Sequence, residues 1–218
     1  MRYKSIICAA ILMCLAGPGA ALDLGRSGIA LNPPARGWKL EEHRDAAIAV
    51  WHLRAESWDP PPASGLIAVT VSMLDGDPWP DPGALRDAAG RAMRAGLIRD
   101  LAADAPFDLA AGRFQIAGED FTGAIGLGDA PARPAMARVL AIRTGDGALL
   151  ISAFSIKGPG EGAFDGLFGP GGILTAKGPG AEALNGAAAA PATAPPAADP
   201  ALEELLQQMQ GGFSTGDQ

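Results

Sequence analysis

The chain has 218 residues, 48% of them hydrophobic and 6% aromatic, and its 24 acidic side chains outnumber 17 basic ones for a net charge of −7. An acidic balance spread along the sequence argues against nucleic acid and anionic lipid as partners, because both are held by clustered Lys and Arg. Cys8 and Cys14 are the only cysteines and both precede residue 15, so the rest of the chain has no disulfide, thiolate nucleophile or cysteine metal ligand.

In chain order, Met1 to Ala21 brings Arg2 and Lys4, an apolar run from Ile6 to Leu15, and the small residues Gly17-Pro18-Gly19-Ala20-Ala21. This is the layout of a secretory signal peptide, and its apolar run is about half the length a membrane helix needs. Met13 stands where a lipoprotein signal needs a small residue before Cys14, and Ile11 lies three positions before it, so lipidation is disfavoured. The expectation is a periplasmic or secreted protein with no integral membrane segment after cleavage. Loss of Arg2 and Lys4 with the leader takes the net charge from −7 to −9.

Residues 22–177 alternate apolar runs with turn signals and read as one domain. Ile29 to Leu31 is a short strand before Pro33-Pro34. Trp38 to Glu41 and Ala46 to Ala55 follow, with Glu42-His43-Arg44-Asp45 as the turn between them. Three prolines at 60–62 make a stiff loop. Gly65 to Leu74 is a strand with Ile67, Val69, Val71 and Met73 on one face. Asp81 then suits an N-cap and Pro82 a first helical position, and Leu85, Ala89, Met93, Leu97 and Leu101 recur every four residues. The spacing predicts one long helix from Pro82 to about Ala103. Arg113 to Ala117 and Asp120 to Leu127 read as a hairpin broken at Gly118. Ala137 to Arg143 and Ala148 to Ile156 flank Thr144-Gly145-Asp146-Gly147, a strong hairpin signal. Leu140 and Ile142 fall on one face and Val139 and Ala141 on the other, so this pair is expected mid-sheet, covered on both sides. A short helical turn over Ala163 to Phe168 closes the domain.

Strands grouped on either side of one helix predict an α+β domain, with a mostly antiparallel β-sheet packed by one long α-helix and a short C-terminal helix. The Leu66 to Leu74 strand, the helix after it, the Phe114 to Phe121 segment with Gly118, and Val139 to Phe154 resemble, as a pattern of elements, the PsbP/Mog1-like sandwich domains. The resemblance spans residues 29–175 without a diagnostic peptide. It implies a sandwich fold and an accessory, assembly or binding role more than an enzymatic one.

Beyond the domain, residues 178–199 are Ala/Pro/Gly-rich and predict a flexible linker. Residues 200–210 follow as a short amphipathic helix with Leu202, Leu205, Leu206 and Met209 in one stripe, and 211–218 as a disordered tail. A short helix on a tether is one way to present a motif to a groove on another protein.

Antiparallel pairing of 46–55 with 65–74 is expected to gather Glu41, Glu42, His43 and Asp45 with Asp75, Asp77, Trp79 and Asp81 at one end of the sheet. Asp75-Gly76-Asp77 begins like a calcium loop, but Trp79, Pro80 and Arg86 occupy the places of a ligand, the glycine and the bidentate glutamate, so no metal site is assigned. Asp77 and Asp81 also suit a helix N-terminus. His52, between Trp51 and Leu53, reads as a structural strand residue. No nucleophile elbow, HExxH or phosphate loop occurs, and no cofactor is expected. The function expected is an exported non-enzymatic accessory or binding protein that engages a protein partner through the acidic pole, the C-terminal helix, or both. The alternatives are a metal-dependent or hydrolytic enzyme at the His43 end and a carrier of a small apolar ligand.

Overall fold

The computed structural model describes residues 21–44, 48–57, 62–74, 81–96, 102–104, 106–125, 133–144, 147–169, 171–182 and 184. The signal-like segment 1–20, Asp45, the loop 75–80 with Asp75, Asp77 and Trp79, Leu97 and Leu101, and the stripe Leu202, Leu205, Leu206 and Met209 lie outside the described residues.

The described chain forms two antiparallel sheets and a single α-helix. The strands are β1 (Leu22–Asp23), β2 (Ile29–Leu31), β3 (Trp38–Arg44), β4 (Ile48–Ala55), β5 (Leu66–Leu74), β6 (Ala102–Ala103), β7 (Phe107–Ala111), β8 (Phe114–Ile125), β9 (Arg133–Thr144), β10 (Gly147–Ser155) and β11 (Leu174–Ala176), and the helix α1 is Pro82–Gly96. A large sheet runs β3-β4-β5-β10-β9-β8-β6, with β7 also on β8, and a small one runs β1-β2-β11.

The β9–β10 hairpin stands at the centre of the large sheet, as its two apolar faces require. Thr144 pairs with Gly147, and β9 is buried without interruption from Ala135 to Ile142. One face of the sheet supplies Trp51, Leu53, Val71, Ile116, Ile142 and Ile151 to the main core. The small sheet and the turns after β10 close that core with Ile29, Leu31, Leu174, Phe164, Leu167 and Leu184. The opposite face holds a smaller cluster of Phe121, Ala137 and Val139, against which Ala89 of α1 packs, so α1 lies across β8 and β9.

The α+β expectation of a PsbP/Mog1-like sandwich is overturned: the fold is mostly antiparallel β in two sheets with one helix among the described residues. Four local reasons account for the difference. The helix does not run to Ala103: its described part ends at Gly96, a poor helix former, and Ala102 and Ala103 pair with Thr122 and Phe121 as strand. Gly118 does not break a hairpin, and β8 runs through it for twelve residues. Its missing side chain instead admits the Phe107 ring, which a Cβ at 118 would meet at 2.2 Å. Ala163 to Phe168 are hydrogen-bonded turns bounded by Gly162 and Gly169, both at positive φ, and no helix forms there. The layer over the main core is therefore a sheet, since β2 pairs with β11, a three-residue strand too short to register as a periodic pattern.

The turn expected at Glu42 to Asp45 is also corrected, because β3 continues through Glu42 and His43 to Arg44. β3 is an edge strand, and charged side chains are tolerated there and protect the edge from further pairing. Asp81 caps α1 as expected, its carboxylate accepting from the Ala84 N–H at 3.2 Å. Among the described residues no helix is long and apolar enough to cross a membrane.

Candidate functional site

Side chains alternate across a strand, so register alone decides which residues share a face. Glu41 stands opposite His52, His52 opposite Thr70, and Thr70 opposite Ser152. These four form a row across β3, β4, β5 and β10 on the α1 side of the large sheet. His43, opposite Val50, belongs to the same face, as do Lys39 and Arg54. Ile48, 41% exposed, is the exposed large hydrophobic residue among the described ones, and Val50, Leu150 and Phe154 on this face are half-buried.

Contacts within the row are specific. His52 Nδ1 lies 3.0 Å from Thr70 Oγ1. The His43 and His52 rings meet edge to face with centres 5.7 Å apart. Arg54 donates to Glu41 Oε1 at 3.1 Å. Glu42 points to the other face, where it pairs with Arg44 at 3.4 Å.

Burial first, and then the neighbouring His43, push the His52 imidazole below its ordinary value of 6.5, with Glu41 opposing them. The unfolded chain therefore takes up this proton before the folded one does, and stability is complete above 6.5 and declines as the pH falls below it. In EDTA, the urea midpoint is expected to rise slightly between about pH 5 and pH 7, and His52→Gln should flatten that rise. A slope unchanged in the variant would assign it to other groups.

The expected acidic pole does not assemble from its described members. Asp81 lines a groove of about 720 Å³ between the start of α1 and β7–β8, together with Arg86, Asp87 and Asp108. Five strand spacings, about 24 Å at 4.8 Å each, separate β8 from the β3 that carries Glu41 and His43. In that groove Arg86 is already shared between Asp87 at 2.9 Å and Asp108 at 3.5 Å.

One further polar cluster is buried. Arg138 donates to both oxygens of Asp120 at 2.7 and 2.8 Å, with side-chain exposures of 4% and 3%. Its guanidinium lies over Phe164 at 4.5 Å and Phe107 at 5.8 Å. Asp104, whose backbone N–H donates to Asp120, has its carboxyl pushed up by burial and then by the Asp120 charge. Sealed between two aromatic rings, this pair is a structural element of the core.

Compared with known proteins, the chain matches no family model and no curated protein. The site's chemistry therefore has to be judged from its own geometry. The distance from His52 to Thr70 is that of a base and a hydroxyl nucleophile. The carboxylate that would orient such a base is engaged by Arg54, however. Thr70 also sits inside a strand paired on both sides, where backbone N–H groups are taken up by the ladder and leave no donors for a developing oxyanion. Among the described residues no three His, Cys, Asp or Glu side chains stand around a common ion position. Sequence reasoning named His43 and Glu41 but missed Thr70, Ser152, Arg54 and Ile48. The signal for them was the alternation in β4 and β5, which becomes readable only once the register with β3 is known.

Proposed function

We propose that this chain is an exported, non-enzymatic binding module, and that it presents the half of its large sheet beyond α1 to a protein partner. The observation that carries the reading is the composition of that face. Ile48 and Val50 interleave with His43, His52, Thr70, Arg54 and Lys39 on β3, β4 and β5, and Leu150 and Phe154 of β10 border this area where they pack against the cluster under α1. Apolar area bordered by polar and charged groups on rigid elements is the make-up of a protein-binding patch. The signal-like N-terminus supports export, and residues 200–210 add a second apolar stripe for the same partner.

The test is capture from a periplasmic extract with the full-length chain as bait. A specific partner is expected to be retained by the wild type, reduced at least tenfold by Ile48→Glu, and retained at least in part when 198–218 are deleted. Undiminished capture by Ile48→Glu together with complete loss on the deletion would move the interface to the C-terminal segment.

A further inference from the structure

We infer that the chain pairs with a second copy of itself along β3, antiparallel about a two-fold axis at Leu40, so that two large sheets join into one. The inference is independent of the partner-binding reading.

Among the described residues the large sheet ends on one side in β6 and β7 and on the other in β3. The first edge is divided between a strand of two residues and one of five, with Pro106 between them, and short strands and proline are what keep an edge from pairing. β3 runs for seven residues in unshifted register with β4 and contains no proline. Which of its peptide groups face outward follows from one hydrogen bond. The Glu56 N–H donates to the Gly37 carbonyl at 2.8 Å, so these two, the next opposed residues after Ala55 and Trp38, are a hydrogen-bonded pair. Such pairs recur at every second residue of an antiparallel ladder. Lys39, Glu41 and His43 therefore direct their N–H and C=O groups to β4. Trp38, Leu40 and Glu42 direct theirs away from the sheet, as a row of donors and acceptors for one more strand.

The charges that keep unrelated strands off this edge fit a second copy in one register. With Leu40 opposite Leu40 of the second copy, the outward row meets itself in the hydrogen-bonded pairs 38–42, 40–40 and 42–38. Lys39 of each copy then stands opposite Glu41 of the other, at non-hydrogen-bonded positions, where side chains approach most closely. Neighbouring registers oppose like charges. An axis at Lys39 sets Lys39 against Lys39, one at Glu41 sets Glu41 against Glu41, and one at Glu42 sets Glu42 against Glu42. Within its own chain Lys39 stands opposite Arg54, and a carboxylate from the second copy offsets that like-charge pair. Glu41 can be shared at little cost, because its ion pair with Arg54 is exposed on both sides. Half-buried Leu40 adds an apolar contact on the axis. A two-fold contact of this kind is closed, so pairing stops at the dimer.

One strand pair buries less area than an obligate interface, so the dimer is weak, and the experiment follows the full chain, without an affinity tag, by sedimentation velocity from about 5 to 500 µM. Wild type is expected to pass from monomer to dimer across that range. Lys39→Glu, which opposes carboxylates on both sides of the axis, should weaken association about tenfold. The exchange Lys39→Glu/Glu41→Lys should restore it. Both positions are exposed, so the variants should melt, when dilute, close to the wild-type temperature. In an equal mixture of ¹⁴N- and ¹⁵N-labelled wild type, a carbodiimide should join Lys39 of one copy to Glu41 of the other, seen by mass spectrometry as a cross-linked peptide of mixed isotope. A chain that stays monomeric throughout, a dimer unaffected by Lys39→Glu, or a weakened dimer that the exchange does not restore overturns the inference.

Discussion

Asp120→Ala is expected to destabilise the protein by about 3–5 kcal/mol, the cost of removing one partner from a buried ion pair. Arg138 is 3% exposed and lies between Phe107 and Phe164, so water cannot replace the carboxylate that now accepts two of its N–H groups. For a domain of this size that loss corresponds to a melting temperature lower by about 6–20 °C. The double variant Asp120→Ala/Arg138→Leu should recover much of the difference, since well-packed apolar replacements of buried pairs are often neutral or better. Urea unfolding of the three proteins checks this. If the double variant proves as unstable as the single one, the pair is not the origin of the loss, and the Phe107–Gly118 packing around it becomes the better explanation.

Phe121→Ala is expected to have an effect of similar size, about 3–5 kcal/mol, with a different signature. Phe121 is fully buried in a cluster whose other fully buried side chains, among the described residues, are Ala137 and Val139. That cluster is what α1 docks on through Ala89. The helix contains Gly90 and its described part closes with Gly96, so its intrinsic propensity is low and packing must hold it in place. In hydrogen exchange, the amides of α1 should lose protection before those of β5, β9 and β10, because local opening exposes the least well-packed element first. A uniform loss of protection across the whole domain would show that α1 and the sheet unfold as one unit.

How far these features could be read from the sequence depended on how local their causes are. The β9–β10 hairpin and the Asp81 cap follow from neighbouring residues: a Thr-Gly-Asp-Gly turn between apolar runs, and a carboxylate beside a proline at a helix start. β3 was legible only as far as Glu41, because Glu42, His43 and Arg44 look like a turn until an edge strand gives charged residues a reason to be extended. Gly118 looked like a break because glycine usually ends a strand, and the reason for it here, a close approach by Phe107, lies eleven residues away on the neighbouring strand. β11 and the small sheet were illegible for the same reason: Leu174–Ala176 is strand only because β2, far earlier in the chain, pairs with it. The candidate site was half legible. Its histidines were noticed, yet His43 was assigned to a turn facing Asp75 to Asp81, whereas the strand register places it beside His52.

Whether the β3–β4–β5–β10 face is open to solvent in the whole chain is the point on which the partner reading turns. Because the chain has two histidines and both stand on that face, diethylpyrocarbonate labelling of the native, metal-free, full-length protein, read by mass spectrometry, measures it directly. Both His43 and His52 are expected to be modified, His43 faster than the half-buried His52, and at rates that do not change when residues 185–218 are removed. Protection of both histidines in the full-length chain, lifted by that truncation, would mean that the protein covers this face with its own C-terminal segment, and the account of an open binding surface would be wrong.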